Sequence, residues 1–499
     1  MASRPAGPGR SLPGSPGVFA LSLVLLSAVF SAATADDKTA EIDDLMALYH
    51  SHGQFSGTVL VAERGEVVYA KGFGHANREW DVPNETDTKF LLASITKTFT
   101  AALVMRLSEE GRLDLDGTLS DYLPWYRNDT GSRITVHSLL THTSGVPDFF
   151  PRLDRDKRFH ADPKEFVLKY CSEDLEFEPG SEFGYSNSGY FILGAVIEEV
   201  TGSAFEEVLQ AEILDRVGMT NTGVDDAERV LARRATGYQR ASLFRYDNGG
   251  YLDYSVVYAA GAVYSTALDL YLWDRALDGN VLLSEESRLA MFTPHHHIGD
   301  GRAAAAYGWI VGVDDECVPG RELRVASKTG GLNGFHTLMS RYMDDDHLVV
   351  LLSNADMTCL HEIRDNLIRV LYGAPYVVPV ELIATSLYRI INRDGIDAAI
   401  LYFHDQHPET DDGYQLQEGE LNGLGYELLR EGRIAEAIEI FKLNVEAFPS
   451  SANCFDSLGE AYLAAGEVEL AERSYETALE LDSDSASASQ ALQVIRCMR

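Results

Sequence analysis

Four residues near the end of the 499-residue chain return at one fixed interval. Gly425, Gly432, Ala437 and Phe441 recur as Gly459, Gly466, Ala471 and Tyr475, each 34 positions later. A strict interval of this size points to stacked copies of one small unit, each presenting the same faces to its neighbours. Small residues at this spacing suit the crossings of paired helices, and Pro449 falls after the second helix of the first unit. A looser copy, Gly395-Ile396-Asp397-Ala398-Ala399-Ile400, precedes them. Stacked pairs need about three units to bury a continuous core, and the looser copy brings the number to that threshold. Residues 375–499 therefore read as an all-helical solenoid. Its concave face would hold a peptide or another protein, or pack on the rest of the chain.

The first 35 residues read as an export signal, so the mature protein is expected to be periplasmic or secreted. Arg4 and Arg10 give a positive start, residues 18–33 form an apolar run, and Ala33-Thr34-Ala35 offers a small-x-small cleavage site. The run is short for a membrane span, which takes about 20 apolar residues. No later stretch is long and apolar enough, so no stable span is expected after signal removal. The net charge of −36, from 41 basic and 77 acidic residues, repels phosphate backbones and argues against nucleic-acid binding. Cys171, Cys317, Cys359, Cys454 and Cys497 are scattered and form no Cys-x-x-Cys pair. They read as buried small apolar residues.

Residues 36–374 read as α+β. Two β-rich runs flank Glu63-Arg64-Gly65-Glu66, the pattern of an antiparallel hairpin. A helix carrying Ser94 and Lys97 runs to about Glu110 and stops at Gly111, and further helices are expected over 134–140, 189–200 and 362–372. Residues 224–300 read as loop-rich, with one helix at 267–277. Strand signals return at 307–311, 335–339 and 347–352, the last pair joined by Asp344-Asp345-Asp346. A hairpin first and a meander last, around a helical middle, imply one sheet built from both ends.

Three short elements carry chemistry. Ser94-Ile95-Thr96-Lys97 puts a hydroxyl and an amine on one helical face, and a serine needs a base within reach to act as a nucleophile. Alone, the pair also fits an ordinary capped helix start. The second element is Tyr185-Ser186-Asn187, and the third is Lys328-Thr329-Gly330 followed by Gly331. Their order and settings together resemble the serine β-lactamase and penicillin-binding superfamily. Within it they resemble the branch of class C β-lactamases, D-aminopeptidases and family VIII esterases. The resemblance runs over residues 54–354 and includes Leu139-Leu140-Thr141-His142-Thr143-Ser144-Gly145. The 34-residue interval in turn resembles the tetratricopeptide repeat.

The resemblance implies an antiparallel sheet flanked by helices, with a helical subdomain beside it and the site between them. Ser94 would attack a substrate carbonyl, with Lys97 holding the proton network. Tyr185 would share the base role, its pKa lowered by Lys97 and Lys328. Asn187, Lys328, Thr329, Gly330 and Gly331 would bind substrate, with the backbone N–H groups of Ser94 and Gly331 as the oxyanion hole. No glutamate lies four positions before an asparagine between Asn187 and Lys328, so deacylation would fall to Tyr185 and a water. Lys328 suits a substrate carboxylate, which leans toward β-lactam or peptide-like donors over neutral esters.

Neither metal nor organic cofactor is implied. His295-His296-His297 lacks spaced acidic or cysteine partners and reads as an exposed loop, and His142 as a structural hydrogen-bonding residue beside the site. The expectation is an exported serine hydrolase forming an acyl-enzyme on Ser94, acting on a β-lactam, a D-amino-acid peptide or an ester. The alternative is a penicillin-binding sensor or scaffold that acylates without efficient turnover and acts through its repeats.

Overall fold

The computed structural model describes residues 35–498 apart from 154–159, 227, 241, 243, 244, 280, 357 and 407–415. The export segment read from Arg4, Arg10 and residues 18–33 lies outside them. Helix α1 (Ala35–Ser51) leads into strands β1 (Gly57–Glu63) and β2 (Glu66–Phe73). Helices α2 (Thr96–Glu109), α3 (Val136–Leu140), α4 (Asn187–Thr201) and α5 (Ala267–Asp278) follow. Six further strands complete the main sheet: β3 (His296–Ile298), β4 (Ala303–Ala305), β5 (Ile310–Asp314), β6 (Leu323–Leu332), β7 (Phe335–Tyr342) and β8 (His347–Ser353). Helix α6 (Leu360–Tyr372) closes this part of the chain at Gly373, whose φ of 63° suits a left-handed cap.

The sheet is antiparallel, in the order β3-β4-β5-β6-β7-β8-β1-β2. The first hairpin thus pairs with the last strand, Gly57 opposite Ser353, and both ends of the domain build one sheet. Two turns fix its register. Arg64 and Gly65 (φ 52° and 81°) join β1 to β2, and Asn333 and Gly334 (φ 45° and 84°) join β6 to β7. Positive φ at both central residues is the two-residue hairpin turn that matches strand twist.

Alternation along the central strands feeds two cores. Leu60, Leu348, Val350 and Leu352 pack with α2 and α5, whereas Val59, Val61, Val349 and Leu351 pack with α1 and α6. Helix α2 is buried on nearly every side, and Phe99 stacks on Trp273 of α5 at 4.4 Å. At its C-terminal end β6 loses a neighbour. The β5–β6 register stops at Ile310 opposite Ser327, so Lys328 to Leu332 run along an open edge.

The helical tail comprises α7 (Ile383–Asp394), α8 (Ile396–Gln406), α9 (Glu418–Arg430), α10 (Ile434–Ala447), α11 (Ala452–Ala464), α12 (Val468–Leu481) and α13 (Ala486–Met498). The sequence interval has a steric cause. A Cβ at Gly425 would lie 2.5 Å from the Phe441 ring, and one at Gly459 would lie 3.0 Å from the Tyr475 ring. Gly432 and Gly466 turn the chain between paired helices with φ of 76° and 77°. These helices bury their own cores, whose members run from Ala384 to Ile495, separate from those of the sheet.

Three readings need correction. His295-His296-His297 is no exposed loop: His296 and His297 lie in edge strand β3, and His295 stacks on Tyr307 at 4.2 Å. The run of four alanines at 303–306, a residue with little strand preference, hid this hairpin. Cys359 is exposed, while Cys171, Cys317 and Cys454 are buried as expected. Residues 224–300 hold more order than the one helix read there, including Tyr258–Gly261 and Glu285–Phe292.

Strand β6 approaches the residues before α2 so closely that only glycine fits. A Cβ at Gly330 would sit 2.1 Å from the Leu92 carbonyl oxygen, whereas one at Gly331 meets nothing within 4 Å. Gly330→Ala should therefore cost ~1–3 kcal/mol through overpacking. Gly331→Ala should stay within about 0.5 kcal/mol of the parent. Urea unfolding of the two variants separates them, and equal stabilities would contradict this packing.

Candidate active site

Ser94 occupies a tight turn, Ala93–Ile95, between a short strand at Phe90–Leu91 and helix α2. Ala93 adopts φ of 49°, a left-handed conformation that costs a residue with a side chain about 1–3 kcal/mol. Neighbours hold it there. The Leu92 N–H donates to Val263 O at 2.8 Å, Thr337 Oγ1 donates to Leu92 O at 2.8 Å, and the Val263 N–H donates to Thr96 Oγ1 at 3.0 Å. The strained turn lifts Ser94 to the rim of the sheet at the N-terminal end of α2, where helix-end potential favours negative charge.

Lys97 lies at the centre of the cluster. Its side chain has 0% of its surface exposed. Its Nζ lies 2.8 Å from Ala260 O, 2.8 Å from Asn187 Oδ1 and 3.1 Å from Ser94 Oγ. Burial pushes its pKa well below the ordinary 10.5, repulsion by Lys328 adds to this, and the Asp148 carboxylate opposes it. A neutral amine has two N–H groups and one lone pair. Two of the three oxygens can only accept, so they take the hydrogens. The third belongs to a hydroxyl, and Ser94 is left to donate to the lone pair. The arrangement fits a base for Ser94.

Asn187 opens α4, and its carboxamide is held at both ends. Oδ1 faces Lys97, while Nδ2 donates to Asp148 Oδ2 at 3.2 Å and the backbone N–H donates to Asp148 Oδ1 at 3.0 Å. One amide hydrogen remains for a substrate.

His142 clamps Tyr185. The rings stack at 4.4 Å, the Ser186 N–H donates to His142 Nδ1 at 3.2 Å, and the Gly184 N–H donates to His142 O at 2.9 Å. Burial first, then Lys328 and Lys97, keeps His142 well below its usual pKa, so Nε2 carries the proton. The structural role expected for this histidine fits that placement.

Tyr185 departs from expectation. Although 40% of the residue is exposed, its hydroxyl end is enclosed. Burial raises its pKa above 10.0, a hydrogen bond with Ser94 lowers it, and Asp148 raises it again. Lys97 and Lys328 do sit 5.2 Å and 4.9 Å from its ring centre. Burial lowers the pKa of both lysines as well, and what charge they keep does not offset the effect of burial on the phenol. The expectation of a lowered tyrosine pKa fails, and Lys97 is the better base.

Lys328 projects from β6 beside Tyr185, 4% exposed, and forms no hydrogen bond or ion pair with any described residue. Burial brings its pKa down to about 7. It lines a cleft of about 780 Å³ with Ser94, Tyr185, Thr329, Gly331 and Arg302. Gly330 lies beneath the cleft, where a Cβ would be 3.0 Å from Ser94 N. The structure thus brings together every residue singled out: Ser94, Lys97, Tyr185, Asn187, Lys328, Thr329, Gly330 and Gly331.

Sequence reasoning missed Asp148 and the Ala260 carbonyl. Asp148 ends the turn that includes Pro147, a weak signal, and a backbone carbonyl leaves none. Among the described residues, two groups bring three metal-ligand atoms within 4.8 Å: Asp314, Cys317 and Asp365, and Asp274, Asp278 and Asp346. Arg364 pairs with Asp365, and Arg275 and Arg341 pair with the second group.

A family model described as Beta-lactamase matches residues 39–371. Penicillin-binding protein 4* of Bacillus subtilis (strain 168) is 30% identical over 358 residues, covering 67% of this chain and 77% of its own length. The crystal structure of a penicillin-binding protein from Bacillus halodurans aligns with a TM-score of 0.57 at 30% identity, covering 66% of this chain and 98% of that one. D-amino acid amidase from Ochrobactrum anthropi SV3, with L-phenylalanine amide, aligns with a TM-score of 0.60 at 23% identity, covering 68% and 99%; at that identity it shows a shared fold.

If Lys97 takes the Ser94 proton, Lys97→Arg should slow labelling of Ser94 by a fluorophosphonate about 100-fold or more, since arginine keeps a charge but yields no neutral amine. Ser94→Ala should abolish labelling. A Lys97→Arg rate within twofold of the parent would exclude that role.

Proposed function

The chain belongs to the beta-lactamase family, and on that premise we propose that it is an exported serine hydrolase acting through an acyl-enzyme on Ser94. The observation that carries the reading is the placement of Lys97 Nζ, with two acceptors that take its hydrogens and the Ser94 hydroxyl at 3.1 Å. Ser94 Oγ bonds to the substrate carbonyl carbon while its proton passes to Lys97. The oxyanion forms between the backbone N–H groups of Ser94 and Gly331 at the N-terminal end of α2. Tyr185, kept protonated by burial, donates to the departing nitrogen or oxygen as the carbonyl bond to that atom breaks. The ammonium of Lys97 then reprotonates Tyr185, and the net transfer is one proton from Ser94 to the leaving group. Water enters against neutral Lys97 to release the acid.

Lys328 supports an anionic acyl donor. A buried cation with no counter-ion among the described residues gains a partner when a carboxylate binds, and Thr329 and Gly331 line the same cleft beside the open edge of β6. The substrate class favoured is a β-lactam or a peptide-like amide bearing a carboxylate, ahead of a neutral ester. Export rests on Arg4, Arg10 and the apolar run at 18–33. The helical tail would hold a peptide or protein partner.

One observation favours a second reading, a penicillin-binding sensor that acylates and turns over slowly. The raised pKa of Tyr185 takes away the second base that the resemblance implied, so deacylation depends on Lys97 alone. Mass spectrometry of Ser94 after exposure to a penicillin, a D-alanyl peptide and a short acyl ester separates the two. Hydrolase action predicts an adduct on Ser94 that decays within the assay, sensor action one that persists, and no adduct from any of the three would exclude both.

The pKa of Lys328 sets a pH signature. Its ammonium is present below about 7 and lost above. KM for a carboxylate-bearing donor should therefore rise as pH climbs past neutrality, while that for its methyl ester stays level. Lys328→Met should remove the difference, and parallel profiles in the parent would contradict the assignment.

A further inference from the structure

Asn187 can help Lys97 only if its amide presents oxygen rather than nitrogen to the amine. The two orientations have nearly the same shape, so packing alone does not choose between them. Facing the other way, an NH₂ group would meet the Lys97 N–H groups, and one amine hydrogen would lose its acceptor. The chooser is Asp148. A carboxylate can only accept, so Oδ2 at 3.2 Å from Asn187 Nδ2 admits the amide nitrogen and excludes the oxygen. Oδ1 accepts the Asn187 backbone N–H at 3.0 Å and fixes the first residue of α4. The Lys97 lone pair is thereby left for Ser94.

We propose that Asp148 is a positioning residue for acylation, acting through Asn187 to hold the Lys97 amine with its lone pair toward Ser94. The proposal rests on the acyl-enzyme reading of Ser94 and adds a residue to it. Asp148 has a second, electrostatic effect. The groups facing Lys97 are Lys328 from β6, Tyr190 from α4, and Tyr185, His142 and Asp148 from the connecting segments. Among these, Asp148 is the one that favours the charged form of Lys97. Its removal should make Lys97 easier to deprotonate, and a flipped Asn187 amide would push the same way.

The two effects give Asp148→Asn an unusual signature. Acylation of Ser94 should slow by about tenfold or more, because the amine is misoriented. At the same time the acid limb of its pH profile should move down by roughly half a unit or more. In an Asn187→Ala background the same substitution should have little further effect on the rate, since the two residues act as one unit. A variant that was merely damaged would lose rate with its acid limb unmoved and would lose it again in that background. Either result would overturn the proposal, as would an unchanged rate and limb in Asp148→Asn. NMR titration of ¹³C-labelled Lys97 reads the same shift without turnover. If the parent protein forms no adduct, the acyl-enzyme reading fails, and an equal Lys97 midpoint in parent and Asp148→Asn separately refutes the role of Asp148. Asp148→Ser, which keeps an acceptor but no charge, serves if the asparagine variant does not fold.

Discussion

The structure depends on an amine placed where it cannot keep its proton cheaply. Lys97 is fully buried, and the nearest like charge, Lys328, is buried too. A buried ammonium without a carboxylate in direct contact is unfavourable, so burial favours the neutral amine. What would be a defect in a structural core becomes a base beside a hydroxyl. The surrounding elements maintain the burial. Helix α2 is enclosed on nearly every side, and Gly308 lets the chain pass so close that a Cβ there would lie 2.8 Å from the Lys97 carbonyl. On the opposite side Gly330 admits β6 against Leu92, which completes the wall.

The same burial settles which neighbour does what. Tyr185 is held by His142 beside the two lysines and is driven toward its protonated form, so in the proposed reaction it would donate where Lys97 would accept. Two groups with ordinary pKa values near ten are separated by their surroundings into an acid and a base. Asp148 stands outside this pair and acts on it through one amide. The scaffold under the site is rigid for a plain reason: alternate residues of β1 and β8 fill two different cores, and a shift of either strand would disturb both.

Much of this was legible in the sequence. The Arg64-Gly65 turn, the helix around Lys97 and the last two strands all follow from local patterns that tertiary packing did not override. The candidate site was legible through order and setting rather than through any single residue. What stayed hidden has physical causes. The Ala260 carbonyl is backbone and has no sequence signal. Asp148 lies 39 positions before its partner in an irregular segment, where no periodicity points to a contact. The direction of the Tyr185 pKa depends on burial, whereas the two lysines that the resemblance places beside it suggested the reverse. The 34-residue interval was legible because each glycine faces one aromatic ring, a contact repeated from unit to unit.

The central claim concerns hydrogens, and neutron diffraction from a deuterium-exchanged crystal at neutral pH locates them. The account predicts two deuterons on Lys97 Nζ, one directed at Ala260 O and one at Asn187 Oδ1, with the Ser94 deuteron pointing at Nζ. Three deuterons on Nζ, one of them directed at Ser94 Oγ, would contradict it.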